Sequence, residues 1–310
     1  MILVQFVFIV LGMGLVLWGA DRFTDASTAI ARRYRISELV IGLTIVAIGT
    51  SLPEFMVSFF SALRGSSDMS VGNIMGSNIF NALMITGASS MVLPLAISRR
   101  ALFTDMPITI GVSVLLVILG CQDGLSRLDG LALILLFSAY MGWTFYYARR
   151  HRTQELYPAD KIMSLTRIVL YLLLGATGLI AGARLLVDNA AALAQTLGVS
   201  ERVIAITVLA AGTSLPEFAT SVMAACKGRE GLAIGNVLGS NIFNVLFALG
   251  PCAVIRPLSM DGLTSADIGY FIGSVVMLFV LALYRGRIGR IKGAFLMAAY
   301  LAYIVLLLTL

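Results

Sequence analysis

Two glutamates carry the chemistry this chain can do. Glu54 closes the run Gly49-Thr50-Ser51-Leu52-Pro53-Glu54, and Glu217 closes Gly212-Thr213-Ser214-Leu215-Pro216-Glu217, the same six residues 163 positions later. Both runs lie inside long apolar segments. An acid near the middle of a bilayer costs about 2.5–3.5 kcal/mol on insertion scales, so it needs a cation, a proton or a water-filled cavity beside it. Pro53 has no N–H, so the carbonyl of Gly49 loses its helical partner, and the ring crowds the preceding turn. The helix should therefore break at Gly49–Pro53, and again at Gly212–Pro216. Carbonyls freed inside a bilayer must find another partner, and a bound cation is one. The carbonyls of Ala47, Thr50, Ala210 and Thr213 are candidates, with the hydroxyls of Thr50, Ser51, Thr213 and Ser214. Carboxylate, carbonyl and hydroxyl oxygens suit hard cations such as Ca2+ and Na+. The competing reading is a proline kink with back-bonded hydroxyls and glutamates that are protonated or paired to Arg22 or Arg184.

A second repeated run supplies another wall. Gly72-Asn73 and Gly76-Ser77-Asn78-Ile79-Phe80-Asn81 return as Gly235-Asn236 and Gly239-Ser240-Asn241-Ile242-Phe243-Asn244. The glycines form small-xxx-small faces on which helices pack closely. Ser77 with Asn81, and Ser240 with Asn244, share one helical face at i, i+4 spacing. Asn73, Asn78, Asn236 and Asn241 could be ligands or could only bond between helices.

These residues need elements that hold them at mid-depth. The chain has 310 residues, 59% hydrophobic and 12% charged, with a mean hydropathy of +0.96. An ordinary soluble domain carries about 25% charged residues. Ten apolar runs long enough to span a bilayer fall at about 3–31, 38–63, 71–93, 102–120, 130–148, 166–194, 202–226, 232–250, 266–284 and 293–310. The opening run lacks a basic leader and a cleavage site, so it reads as a retained helix and not a signal peptide. The fold expected is an all-α integral membrane protein. Residues 1–148 form one five-helix repeat, 149–165 a short linker, and 166–310 the second repeat.

The formal charge of +6 does not point to nucleic acid, because the basic residues sit in short loops. Arg64, Arg127, Arg202 and Arg256 occupy one set of loops, Arg22 and Arg184 lie within spans, and the other 16 of the 22 Lys and Arg fall in the opposite loops. That bias puts the rich loops in the cytoplasm and both termini outside. Cys121, Cys226 and Cys252 show no metal spacing, and His151, the only histidine, lies in a basic loop.

The offset of 163 holds without a gap. Gly19 matches Gly182, Asp25 matches Asp188, Ser37-Glu38 matches Ser200-Glu201, and Ala47 matches Ala210. Five spans per repeat is an odd number, so the second repeat is inverted. Inverted repeats typify secondary transporters, with the site at the midplane between them.

The two signatures, each followed by Gly-Asn and Gly-Ser-Asn-Ile-Phe-Asn, resemble the α-repeats of the calcium/cation antiporter superfamily, above all prokaryotic sodium/calcium exchangers. The resemblance covers nearly the whole chain. It implies the sodium/calcium exchanger fold and exchange of Na+ for Ca2+ by alternating access. Glu54 and Glu217 would be the central Ca2+ ligands, with the carbonyls of Thr50 and Thr213. Ala47, Ser51, Ser77, Ala210, Ser214 and Ser240 would build flanking Na+ sites with those threonines. Asn81 matches the family's asparagine. Asn244 stands where potassium-dependent relatives carry aspartate, which points away from K+ co-transport. The linker is too short for the regulatory loop of animal exchangers. Spans one and six, rich in glycine (Gly12, Gly14, Gly19; Gly175, Gly178, Gly182), would slide across a core of spans two, three, seven and eight. The expectation is a plasma-membrane protein of the bacterial inner membrane, working as a monomer in lipid, with no cofactor, no enzymatic activity and no nucleic-acid partner. Its rivals are a proton-coupled calcium exchanger, a cation channel, and, remotely, a serine hydrolase, for which the spans offer no histidine or lysine to activate Ser51 or Ser214.

Overall fold

A computed structural model describes residues 2–151, 163–198, 212–260 and 262–309. Among these, helices α1 (Ile2–Tyr34), α2 (Glu38–Thr50), α3 (Leu52–Arg64), α4 (Ser67–Phe80, continuing through Asn81–Ile85 to Val92), α5 (Ala101–Asp105 into Met106–Asp123) and α6 (Arg127–Arg150) make the first half. Helices α7 (Leu165–Thr196), α8 (Leu215–Cys226), α9 (Glu230–Ile255), α10 (Ser265–Leu283) and α11 (Arg290–Thr309) make the second. Seven of them are long and apolar enough to cross a membrane alone, and α2 with α3 makes an eighth span bent by 47°. Helix α4 and the stretch ending in α8 stand in the positions of the two remaining expected spans. The first part of that seventh span, with Ala210, lies outside the described residues.

Burial sorts the helices into layers. In α9, 78% of the apolar window is buried, against 17% in α1. Helix α1 shows Leu3, Phe6, Leu11, Leu15 and Trp18 on its outer face, as lipid requires of a span with no water to meet. The inner layer is α2, α3, α4, α8 and α9, built on fully buried Leu43, Ile74, Ile79, Leu83, Phe243 and Leu246.

Glycine sets the closest approaches. At Gly19 a Cβ would stand 2.6 Å from the backbone nitrogen of Leu179, and at Gly182 2.8 Å from the carbonyl of Gly12. No larger residue fits where α1 and α7 cross. At Gly239 a Cβ would meet the Leu43 Cα at 2.6 Å, so α9 lies directly on α2.

Among the described residues four single turns, Gly42–Val46, Asn81–Ile85, Ala101–Asp105 and Asn244–Ala248, are wound as π-helix. The second and fourth are repeat equivalents, and each begins at a candidate site asparagine. Such wide turns are frequent at functional sites, and nothing in the apolar pattern announces them.

The all-helical fold carries two short backbone pairings between its loops. Leu95–Ala96 (β1) pairs antiparallel with Arg287–Ile288 (β2), and Leu125 bridges Leu258. Shifted by 163, Leu95 becomes Leu258 and Leu125 becomes Ile288, so the two pairings are one contact made twice. Each ties a loop of one half to a loop of the other, and two-residue pairings are too short to leave a strand pattern in sequence.

Candidate cation site

The helix break forms where proline puts it. Helix α2 stops at Thr50 and α3 restarts at Leu52, with Ser51 between them at φ −86°, ψ 6°. Ser214 repeats that conformation at φ −87°, ψ 6°, and α8 restarts at Leu215. In both copies the proline occupies the first turn of the restarted helix, where its missing N–H has no cost. Glu54 and Glu217 follow in that same turn, and both are buried, at 0% and 1% exposure.

The two halves cross at these carboxylates. Ser51 Oγ donates to Glu217 Oε1 at 2.7 Å, and Ser214 Oγ lies 2.9 Å from Glu54 Oε1. Each glutamate is thus met by the serine of the other repeat. Ser214 Oγ is also 3.0 Å from Ser77 Oγ, and Asn244 Nδ2 donates to Ser77 Oγ at 3.3 Å. Thr50 Oγ1 bonds back to the Val46 carbonyl at 3.0 Å and meets Asn236 Oδ1 at 3.1 Å.

Several oxygens in this cluster have no donor. Oε2 of Glu54 and of Glu217, Oδ1 of Asn81 and of Asn244, and Oγ of Ser240 are buried without a hydrogen-bond partner among the described residues. Buried polar atoms are nearly always satisfied. Acceptors left over around two carboxylates are what a cation completes. None of the five ion pairs among the described residues involves either glutamate. Arg22 pairs with Asp21 at 3.5 Å and Arg184 lines a cavity, so neither serves as the arginine partner considered from sequence. No group of three His, Cys, Asp or Glu residues forms a metal cluster among the described residues. The available donors are therefore two carboxylates with neutral oxygens, a set for hard cations.

The remaining candidates divide. Ser51, Ser77, Ser214, Asn244, Glu54 and Glu217 are joined by these contacts, and Asn81 and Ser240 are buried on the same faces. Thr213 lines the cavity that reaches the site. The Ala47 carbonyl already accepts the Ser51 N–H at 3.0 Å, and Ala210 lies outside the described residues.

The ambiguous asparagines bond between helices. Asn73 Nδ2 donates to the Glu54 carbonyl at 3.2 Å and to Ser58 Oγ at 2.9 Å. Asn236 does the same to Glu217 and Ser221, at 3.3 and 2.9 Å. Asn78 and Asn241 donate to each other's carbonyls at 3.1 and 3.4 Å, on the pseudo-twofold axis. Asn81 donates to Asn241 Oδ1 and Asn244 to Asn78 Oδ1, at 3.1 and 3.0 Å. Ser58 and Ser221 had no signal of their own. Only their shared place in the repeat, one turn after each glutamate, could have found them.

A third buried acid is separate. Asp105, 0% exposed, faces Arg100 at 3.4 Å and accepts from Tyr140 at 3.4 Å, while Arg100 stacks on Tyr147. It carries its own counter-charge, unlike the glutamates.

A cavity of about 710 Å3 runs from Arg64 and Met69 past Val57 and Asn73 to Gly212, Thr213 and Pro216. It gives the site one open path.

Comparison with known proteins agrees with this geometry. The sodium/calcium exchanger protein family matches residues 4–146 and again 167–309. The chain belongs to the sodium/calcium exchanger family. It is a multi-pass membrane transporter and not an enzyme. The solved sodium-calcium exchanger NCX_Mj is similar over 99% of this chain and all of its own, at 32% identity and a TM-score of 0.86. Inner membrane protein YrbG of Escherichia coli is 35% identical over 96% of this chain and 95% of its own. Sodium/calcium exchanger MaX1 of Methanosarcina acetivorans is 29% identical over 99% of both.

Proposed function

We propose that the chain exchanges Na+ for Ca2+ across a bacterial inner membrane by alternating access. In this reading it works as a monomer, organised as repeats 1–148 and 166–310 around the linker 149–165, with both termini outside. The observation that carries the reading is the crossing of the halves: each signature serine meets the other repeat's glutamate, and the second oxygen of each carboxylate has no donor among the described residues. Two carboxylates balance one Ca2+. Na+ ions drawing on Ser51, Ser77, Ser214 and Ser240 would share those same carboxylates, so one ion's arrival requires the other's departure. The backbone oxygens of Ala47, Thr50, Ala210 and Thr213, with Asn81 and Asn244, complete the proposed ligand set.

The names of NCX_Mj and MaX1 as sodium/calcium exchangers support the choice of ions, and YrbG supports the membrane. The test is radioactive Ca2+ uptake into proteoliposomes loaded with Na+, compared with K+ at equal pH. Uptake that needs internal Na+ is expected. Uptake that ignores Na+ and follows an acidic interior would move the protein to proton coupling.

A further inference from the structure

The two mouths of the transport path are not in the same state. On the Arg64 side the cavity of about 710 Å3 is open, and Arg64, Arg184 and Asp188 line it. Among the described residues these three form no ion pair. On the opposite side Lys227 Nζ reaches Asp21 Oδ1 and Asp25 Oδ1, each at 2.6 Å, and donates to the Asp21 carbonyl at 3.0 Å. The smaller cavity there, about 350 Å3 and lined by Asp25, Arg32, Lys227 and Arg229 among others, includes no signature residue.

The repeat makes these clusters equivalents. Shifted by 163, Arg64 becomes Lys227, Asp25 becomes Asp188 and Asp21 becomes Arg184. One cluster holds two acids and a base, the other two bases and an acid. Each can close as a three-charge lock, and the signs are complementary within each. Their carriers also correspond. Lys227 caps the end of α8 and Arg64 ends α3, while the acids sit on α1 and α7. Helix α1 packs on α8, whereas α7 faces α3 across the open cavity. Thr220 of α8 is fully buried, and its equivalent Val57 lines the cavity.

We propose that Lys227–Asp21–Asp25 and Arg64–Arg184–Asp188 are reciprocal ionic gates. The first is closed in this state. The second closes, Arg64 against Asp188, when α1 and α7 shift and the first opens. This rests on the alternating-access reading above, though not on which ion drives it.

The test uses Thr220→Cys as a reporter, after Cys121, Cys226 and Cys252 are replaced. Thr220 becomes reachable only when the Lys227 side opens. In nanodiscs both faces meet a polar thiol reagent, so neither orientation nor an ion gradient enters, and a failed uptake experiment leaves the result standing. Lys227→Ala should speed labelling about threefold, the scale of a part-exposed ion pair, because it weakens the closed gate. Arg64→Ala should slow labelling about threefold, because it weakens the gate of the opposite state. Asp25→Asn attacks the first gate from its other side and should act like Lys227→Ala, and Lys227→Arg should label at the parent rate. Shifts of the same sign for Lys227→Ala and Arg64→Ala, or no shift in Lys227→Ala and Asp25→Asn, would overturn the proposal.

Discussion

Asn236 links the site's backbone to both halves, and its loss is the most informative perturbation short of the glutamates. Its amide donates to the Glu217 carbonyl at 3.3 Å and to Ser221 Oγ at 2.9 Å, and its oxygen meets Thr50 Oγ1 at 3.1 Å. Asn73, its repeat equivalent, makes just the first two contacts among the described residues, at 3.2 and 2.9 Å. Hydrogen bonds between membrane helices average about 0.6 kcal/mol each. Asn236→Ala therefore removes about 2 kcal/mol of restraint, divided between the start of α8 and Thr50 at the end of α2, and Asn73→Ala about 1 kcal/mol on the start of α3. If the freed segments leave the liganding geometry, the apparent affinity falls by the lost competent fraction. That sets upper limits of about thirtyfold and about fivefold in the Ca2+ concentration for half-maximal uptake. The assay is initial-rate radioactive Ca2+ uptake at varied Ca2+, with a check that both variants elute as a single species. A twofold or smaller change in Asn236→Ala, or a larger effect in Asn73→Ala, would refute the idea that these asparagines hold the glutamates in place.

Glu54→Gln and Glu217→Gln should each abolish Ca2+-driven exchange, since either removes half the charge that balances the divalent ion; uptake near the parent rate in either would remove the shared site. Gly19→Ala should lower thermal stability by about 1–3 kcal/mol, the range for overpacking, because its Cβ meets backbone at 2.6 Å, while Gly14→Ala, exposed with nothing within 4 Å, should be silent in the same melting experiment. Arg100→Ala leaves Asp105 buried without its partner and should cost about 3–5 kcal/mol of stability, yet the half-maximal Ca2+ concentration should stay within about twofold; a large affinity change would join Asp105 to the transport site.

The spans, their inversion and the two breaks were legible because each rests on a strong local rule. Lipid demands apolar runs of fixed length, and proline at 53 and 216 removes a helical donor wherever it stands. The pairing of Glu54 and Glu217 was legible through the repeat. What the sequence could not show was which serine meets which carboxylate. The crossing of Ser51 to Glu217 and Ser214 to Glu54 depends on how two helix breaks face each other, and both arrangements have the same letters. The π turns at Asn81 and Asn244 were hidden for a related reason, since one extra residue in a turn does not alter a uniformly apolar pattern. Asp105 stands close to the start of an apolar run, and only packing against Arg100 and Tyr140 shows it buried. The charge bias led only to an expected orientation; that the Arg64 side lines an open cavity while Lys227 pairs with Asp21 and Asp25 is a matter of helix packing, which equivalent letters in the two repeats do not distinguish.

The central claim is that Glu54 and Glu217 form a single site for which Ca2+ and Na+ compete. Equilibrium dialysis of radioactive Ca2+ against the purified protein, with rising Na+ replacing K+ at constant ionic strength, tests it most directly. One bound Ca2+ per chain, displaced completely as Na+ rises, is the result expected. Ca2+ that stays bound at saturating Na+, or two independent Ca2+ per chain, would contradict a shared site.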